Sequence, residues 1–204
     1  MFAPNISKIL YLAFRLAPFI IVCFFVLESI LYRHINGIIY LVGILVSCMI
    51  TVIVGKLYPN ILDVSSSSTC NSLNIGQDGM ALSDLPLSIV ILSFTVSYLI
   101  RFMFYVATQP GYNINEVIIQ QLPTIIIFPL LILIDGIWNS YNSCFSLSRV
   151  LVAFGLGCGL GIGWASIMVS SGNPHFMYFD EMSDAVICKK PMKTKFKCVT
   201  KTIP

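Results

Sequence analysis

The chain has 204 residues, of which 57% are hydrophobic and 10% are charged, and its formal net charge is +3 at pH 7. Ordinary soluble domains carry roughly 25% charged residues, so this composition argues against a soluble single domain. Five apolar segments approach or exceed the ~20 residues that a helix needs to cross the hydrocarbon core of a membrane. In chain order they cover residues 9–32, 35–57, 85–107, 122–138 and 150–169.

The first segment is interpreted as a retained membrane anchor. It is too long for a cleaved signal peptide, contains Arg15 and Glu28, and has no small-residue cleavage site before Tyr32. Within hydrocarbon only helices or a closed barrel satisfy the backbone, and these unbroken apolar runs lack the alternation of barrel strands. We therefore expect an all-α integral membrane protein, with a bundle of about five transmembrane helices in residues 1–169 and a short extramembrane tail in residues 170–204.

Basic residues predict the orientation of the bundle. Five spans place the two termini on opposite faces, and Lys and Arg are in excess on the face that carries the C-terminal tail, which marks it as cytoplasmic. That face collects Arg33 and six tail lysines, and the other face collects Lys8, Lys56, Arg149 and the nearby Arg15. The fourth segment is short and contains Pro123 and Pro129. If it were re-entrant, both termini would share one face.

Ionisable residues inside the spans predict two ion pairs at matched depths. An ionisable group in hydrocarbon is costly unless it is paired or reaches an interface. We expect Glu28 to pair with Arg101, and Asp135 to pair with Arg149 or Arg15. An ion or proton path is the alternative, but a relay needs several titratable groups through the midplane. We therefore favour two clamps between helices near the membrane interfaces.

Four cysteines lie outside the spans. Cys70 and Cys144 fall on the same predicted non-cytoplasmic face, so they either form a disulfide or are two unrelated thiols. Cys188 and Cys198 flank the lysine-rich part of the tail with a spacing that suits a zinc site poorly. A tail disulfide or two free thiols is the better interpretation of that pair.

Glycines recur along the fifth segment. Their spacing puts them on helix faces where backbones can approach closely, and small residues permit the van der Waals packing that associates helices in membranes. A phosphate-binding loop would need a strand before the glycines, which the sequence does not offer. The same faces suit a helix-mediated oligomer. The five residues are Gly155, Gly157, Gly159, Gly161 and Gly163.

The chemistry of a catalytic site is missing from the sequence. Its two histidines, His34 and His175, lie in a tight loop and at the start of the tail, so a buried Ser and His pair is hard to build. No H-E-x-x-H helix or paired carboxylate motif is present either. We expect no enzymatic activity, no cofactor and no metal site.

Several short motifs resemble small multi-spanning membrane proteins of nucleocytoplasmic large DNA viruses of algae and protists. They are Asn36-Gly-Ile-Ile-Tyr-Leu-Val-Gly43, Cys70-Asn71, Ser93-Phe-Thr-Val-Ser-Tyr98, Tyr178-Phe-Asp-Glu, Ser183, Cys188, Pro191 and Phe196-Lys-Cys198. The family's tail commonly continues with a Tyr-Lys-Asn-Gly-like sequence, whereas this chain has Val199-Thr-Lys-Thr-Ile-Pro204. The resemblance implies a virion protein of the internal membrane beneath an icosahedral capsid.

The tail is the predicted contact with partner proteins. Its six lysines face only three acidic residues, which suits acidic lipid headgroups or an acidic protein surface. We expect an ordered tail that links or spaces the membrane and the capsid, with no specific nucleic acid as a partner. The contact residues would be Phe176, Tyr178, Phe179, Lys189, Lys190, Lys193, Lys195, Phe196, Lys197 and Lys201. The alternatives are an accessory subunit of a membrane complex and a small-solute channel or transporter.

Overall fold

A computed structural model of the chain describes residues 6–32, 35–57, 85–108, 118–119, 121–141, 145–172, 187–189 and 197–199. Side chains are described for these residues except 6–15, 28, 32 and the two last ranges. The long helices are α1 (Ile6–Tyr32), α2 (Asn36–Leu57), α3 (Leu87–Thr108), α4 (Leu122–Tyr141) and α5 (Leu147–Ser170), followed by the strands β1 (Ile187–Lys189) and β2 (Lys197–Val199).

The helices have the length and composition of membrane spans. Four of them, α2 to α5, are long and apolar enough to cross a membrane. Helix α1 has 27 residues in total. Within it, the apolar stretch Leu16–Leu31 is shorter than each of the four helices α2 to α5. This confirms an α-helical protein with the features of a membrane protein.

The fourth segment is longer than the sequence predicted. Helix α4 has 20 residues and runs through Pro129 without ending. Pro123 lies in its first turn, where the backbone N–H has no intrahelical partner and proline costs little. By length and composition the helix is therefore suited to a full span.

Contacts between helices show that their directions alternate along the chain. Near the end of α1, Ser29 Oγ accepts a 3.2 Å hydrogen bond from the backbone N–H of Gly37 at the start of α2. Near the start of α2, Tyr40 Oη lies 2.6 Å from Thr95 Oγ1 in the middle of α3. Because α2 contacts the end of α1, these two helices are antiparallel neighbours.

The last three helices continue this alternation. Ser88, at the start of α3, contacts Asp135 near the end of α4, so these two helices are antiparallel. Gly157 and Gly161 of α5 lie against successive turns of α3, so α5 runs parallel to α3. At one side of the bundle α3 begins and α4 finishes, and we call this side the Asp135 end. At the opposite side α3 and α5 finish, and we call it the Arg101 end.

An aromatic cluster forms the core around the central helix α3. Its rings pack edge to face, tilted or, for Phe94 and Tyr98, nearly parallel, with centroids 4.7 to 6.2 Å apart. Such pairs stabilise beyond the area that they bury. The cluster joins α1, α2 and α3 at the level of the Arg101 end. Its members are Phe25, Tyr40, Phe94, Tyr98 and Phe102.

The two strands pair antiparallel in the tail. Ile187 is opposite Val199, and Cys188 is opposite Cys198. The all-α expectation did not include this ribbon, because each strand has only three residues and no alternating apolar pattern. The α-helical class therefore holds for the bundle, and the tail adds a two-stranded ribbon.

Candidate functional site

A buried polar cluster lies at the Asp135 end, and we define it as Ser88, Asp135 and Asn139. Asp135 is 6% exposed and Asn139 is 4% exposed. Ser88 Oγ donates a 2.6 Å hydrogen bond to Asp135 Oδ2, and Asn139 Nδ2 donates at 3.0 Å to Asp135 Oδ1. Each carboxylate oxygen thus accepts a hydrogen bond from a neutral donor.

Helix geometry explains how the cluster assembles. Asp135 and Asn139 are four residues apart on α4 and therefore share one helix face. The same Asn139 Nδ2 also donates at 2.8 Å to the backbone carbonyl of Asp135, which fixes its amide beside the carboxylate. Ser88 lies in the first turn of α3, at the level that the antiparallel α4 reaches in its last two turns. The cluster therefore fastens α3 to α4.

Arg149 lies at the same end of the bundle and is 5% exposed. It is in the first turn of α5, and the neighbouring Val150 faces Gly136, the residue after Asp135. The structure thus brings Arg149 and Asp135 into one buried region, as the predicted pair requires. Their direct pairing stays a prediction. The side chain of Arg15, the alternative partner, lies outside the described residues.

Arg101 is the half-buried cation at the other end. Its Nε donates a 3.2 Å hydrogen bond to Ser166 Oγ, which joins α3 to α5. Glu28 lies one turn before the end of α1, at the end of the bundle that Arg101 also approaches. The Glu28 side chain is not among those described, so the predicted pair of Glu28 and Arg101 stays a prediction.

An apolar crevice adjoins Arg101 and has a volume of about 540 Å³. Helices α3, α4 and α5 form its walls, through residues that include Ile100, Leu133 and Ile162. Ser97 and Arg101 are the polar residues of the lining. Ser97 Oγ is used within α3, where it donates to the carbonyl oxygens of Ser93 and Phe94. The lining surface is apolar, so Arg101 contributes its aliphatic stem to it, while its guanidinium group lies beside the crevice against Ser166.

A glycine seam joins α5 to α3, and we define it as Gly157 and Gly161 of α5 against Ser93 and Ser97 of α3. A Cβ atom added at Gly157 would clash with Ser93 Oγ and lie 2.7 Å from the carbonyl oxygen of Val90. These glycines therefore permit an approach of α5 to α3 that an added Cβ atom would obstruct.

The glycines of the other face have a different environment. A Cβ atom added at Gly155, Gly159 or Gly163 would meet no described atom within 4 Å. The sequence predicted two packing faces, and within the described part of the chain one of them is in contact with another helix. A helix-mediated oligomer through the open face stays a prediction.

Sequence reasoning missed the neutral partners of the charged residues. Ser88, Asn139 and Ser166 contact Asp135 or Arg101, yet serine and asparagine inside an apolar segment carry no pattern of their own. Two spacings in the sequence nevertheless indicate these contacts. Asn139 follows Asp135 by four residues, and Ser93 and Ser97 have the same four-residue spacing as Gly157 and Gly161.

Other predicted site residues cannot be placed. Cys70 and Cys144 lie outside the described residues, so their disulfide stays a prediction. Lys189 and Lys197 belong to the paired strands, but their side chains are not described.

No group of three or more His, Cys, Asp or Glu suitable for a metal ion occurs among the described residues. The remaining tail residues, namely Phe176, Tyr178, Phe179, Lys190, Lys193, Lys195, Phe196 and Lys201, also lie outside the described ranges.

Comparison of the chain with protein-family models, with curated proteins and with solved structures gives no match in any of the three. The structure itself identifies an α-helical protein with four helices suited to crossing a membrane.

Proposed function

We propose that this protein has a structural role: a five-helix membrane bundle that holds its C-terminal tail at the membrane surface, where the tail binds a partner protein. The observation that carries the proposal is the use of polar groups within the bundle. Both carboxylate oxygens of Asp135 accept hydrogen bonds from neighbouring side chains. A solute path needs polar groups that face a cavity. Here one described hydrogen bond of this carboxylate joins α4 to α3, and the other lies within α4.

Other polar groups in the bundle follow the same rule. Tyr40 and Thr95 join α2 to α3 through their hydroxyl groups, and Trp164 Nε1 donates at 3.2 Å to the carbonyl oxygen of Ile39. The crevice beside Arg101 is lined mainly by apolar side chains. These contacts favour a rigid bundle over a transport path.

The tail ribbon supports the proposed contact with a partner. Strands β1 and β2 pair in register over only three residues each. An isolated two-stranded ribbon is marginally stable in water. A protein or membrane surface against the ribbon would supply the missing stabilisation, and the lysines around it suit an acidic surface.

We further propose that the membrane is the internal membrane of a large DNA virus particle and that the tail faces the capsid. The support for this assignment is the set of short motifs from Asn36 to Cys198. In a membrane derived from host secretory membranes, the cytoplasm-equivalent face would look outward to the capsid.

Crosslinking in intact particles tests the tail contact. An amine-reactive crosslinker should join the tail lysines, from Lys189 to Lys201, to capsid proteins, whereas Lys56 at the opposite end should not yield those crosslinks. Recovery of genome-associated proteins alone would contradict the capsid-facing orientation. Co-purification with cofactor-bearing subunits would favour an accessory subunit of a membrane complex instead.

A small-solute transporter is the second candidate, and the burial of Asp135 favours it. An ionisable residue inside a membrane bundle is a functional candidate by default. Ion flux through reconstituted protein decides between the two functions, and the substitution that tests Asp135 is argued in the Discussion.

A further inference from the structure

The crevice beside Arg101 combines two features that the structural role does not use. Its volume of about 540 Å³ lies within the roughly 300–1,000 Å³ of small-molecule sites. Its walls come from three helices, with Phe104 on α3, Leu133 on α4 and Ile162 on α5. These three residues are also exposed at the surface of the bundle. The crevice is therefore open at the surface that would face lipid tails.

Arg101 lines the crevice with its aliphatic stem and holds its positive charge beside this apolar surface. It lies seven residues before the end of α3, or roughly 10 Å along the helix axis. Its described polar partner is Ser166, which is neutral and accepts from Nε. A guanidinium group has five N–H donors and binds phosphate in a two-pronged geometry. The remaining donors therefore suit an anion at the edge of the crevice.

We infer that the crevice binds one anionic phospholipid, with an acyl chain along its apolar walls and the headgroup phosphate on Arg101. This inference goes beyond the structural role and does not depend on a virion location. The long side chain of arginine can reach from within the hydrocarbon toward the headgroup region. The Arg101 end is also the predicted cytoplasmic end, where anionic lipids are abundant.

Apolar fit and charge make separate contributions to this site. Acyl packing against Leu133 and Ile162 contributes for any phospholipid with the same chains. The phosphate is also common to zwitterionic lipids, but their headgroup carries a cation that opposes Arg101. The site should therefore bind both classes and prefer the anionic one.

Lipid binding to the full chain in a neutral detergent tests this inference. Native mass spectrometry should show one phosphatidylglycerol bound, with an affinity roughly fivefold above that of phosphatidylcholine with the same chains, because the choline cation of the latter opposes Arg101. Glycerol 3-phosphate, which has the headgroup chemistry without acyl chains, should neither bind nor compete.

Two variants separate the charge from the apolar walls. Arg101→Gln should abolish the preference for phosphatidylglycerol, whereas Arg101→Lys should retain part of it. Ile162→Trp should fill the crevice and weaken binding of both lipids. The matched controls are Lys56→Gln, an exposed cation at the Asp135 end, and Ile167→Trp, an exposed isoleucine of α5 outside the crevice. Both controls should bind lipid as the unmodified chain does.

Several results would overturn the inference. Equal affinity for the two lipids, an unchanged preference in Arg101→Gln, or the same loss in Lys56→Gln would exclude a phosphate site at Arg101. Strong binding of glycerol 3-phosphate would show that the crevice is not involved. If the unmodified chain shows no preference for phosphatidylglycerol but Glu28→Gln does, the Glu28 carboxylate, and not a lipid, neutralises Arg101 in the native protein.

Discussion

Ser88 Oγ donates a 2.6 Å hydrogen bond to Asp135 Oδ2, and this bond joins the first turn of α3 to the last two turns of α4. Asp135 is buried, so its charge depends on neighbours for solvation. Water in a hydrocarbon-surrounded bundle cannot replace a lost donor at little cost. The bond therefore holds α4 against α3 at the Asp135 end.

Ser88→Ala should lower the free energy of unfolding by about 1 kcal/mol, because it removes the described hydrogen bond from α3 to Asp135 Oδ2. Denaturation with dodecyl sulfate in mixed micelles, followed by tryptophan fluorescence, measures the change. Ser140→Ala is the matched control, since Ser140 is exposed on the same α4. Equal effects of the two substitutions would show that the Ser88 bond contributes nothing specific.

Tyr40→Phe and Tyr98→Phe form a second matched pair. Both tyrosines are buried in the aromatic cluster, with 1% and 0% of their surface exposed. Tyr40 Oη lies 2.6 Å from Thr95 Oγ1, whereas Tyr98 Oη is buried without a hydrogen-bond partner among the described residues. Tyr40→Phe should cost about 1 kcal/mol of stability, and Tyr98→Phe should be neutral or stabilising. The same unfolding assay measures both, and the reverse order would contradict this.

The number and order of the apolar helices could be predicted from the sequence, because hydrocarbon imposes a length and forbids unsatisfied backbone. The ends were less certain. The apolar run of the fourth segment stops near Trp138, yet α4 continues to Tyr141 because polar residues such as Asn139 find partners inside the bundle. Hydropathy does not detect such a partner.

Pairing between helices was harder to predict than their existence. Five glycines at alternating positions of α5 gave two equivalent faces, and the sequence of α5 alone does not choose between them. The choice depends on Ser93 and Ser97 of α3, whose small side chains accommodate Gly157 and Gly161. Charged residues were found from their cost in hydrocarbon, but their neutral partners have no comparable signal.

Gly157→Ala should destabilise the bundle, because the added methyl group would lie 2.7 Å from the carbonyl oxygen of Val90 and would clash with Ser93. Backbone atoms of α3 cannot move aside without separating the helices, so we expect a loss of about 1–3 kcal/mol. Gly159→Ala, which meets no described atom within 4 Å, is the control and should leave stability unchanged or slightly higher. Similar losses for both would contradict the assignment of the seam.

Cys70 and Cys144 should form a disulfide between the two loops of the predicted non-cytoplasmic face. Peptide mapping after alkylation of the denatured, unreduced protein should then find Cys70 and Cys144 unmodified, and reduction should make both thiols available. Cys70→Ser and Cys144→Ser should each lower stability by about 2–4 kcal/mol. The double substitution should cost no more than either one. Alkylation of Cys70 and Cys144 without reduction, or additive losses, would disprove the bond.

Asp135→Asn distinguishes a structural carboxylate from one that carries protons or ions. Asparagine keeps the shape of the side chain but removes the charge, and one of its two terminal groups is a donor that cannot accept from Ser88 or Asn139. For a helix clamp, we expect a loss of about 1–3 kcal/mol in the unfolding assay.

Reconstitution into vesicles with a trapped pH indicator or ion-sensitive dye gives the functional measurement. If the bundle is structural, vesicles with the unmodified chain and with Asp135→Asn should be as tight to protons and small ions as empty vesicles. Ser140→Ala serves as the reconstitution control. Flux through the unmodified chain that Asp135→Asn abolishes and Ser140→Ala preserves would establish the transporter alternative, because loss of one buried charge would then stop movement of the ion itself.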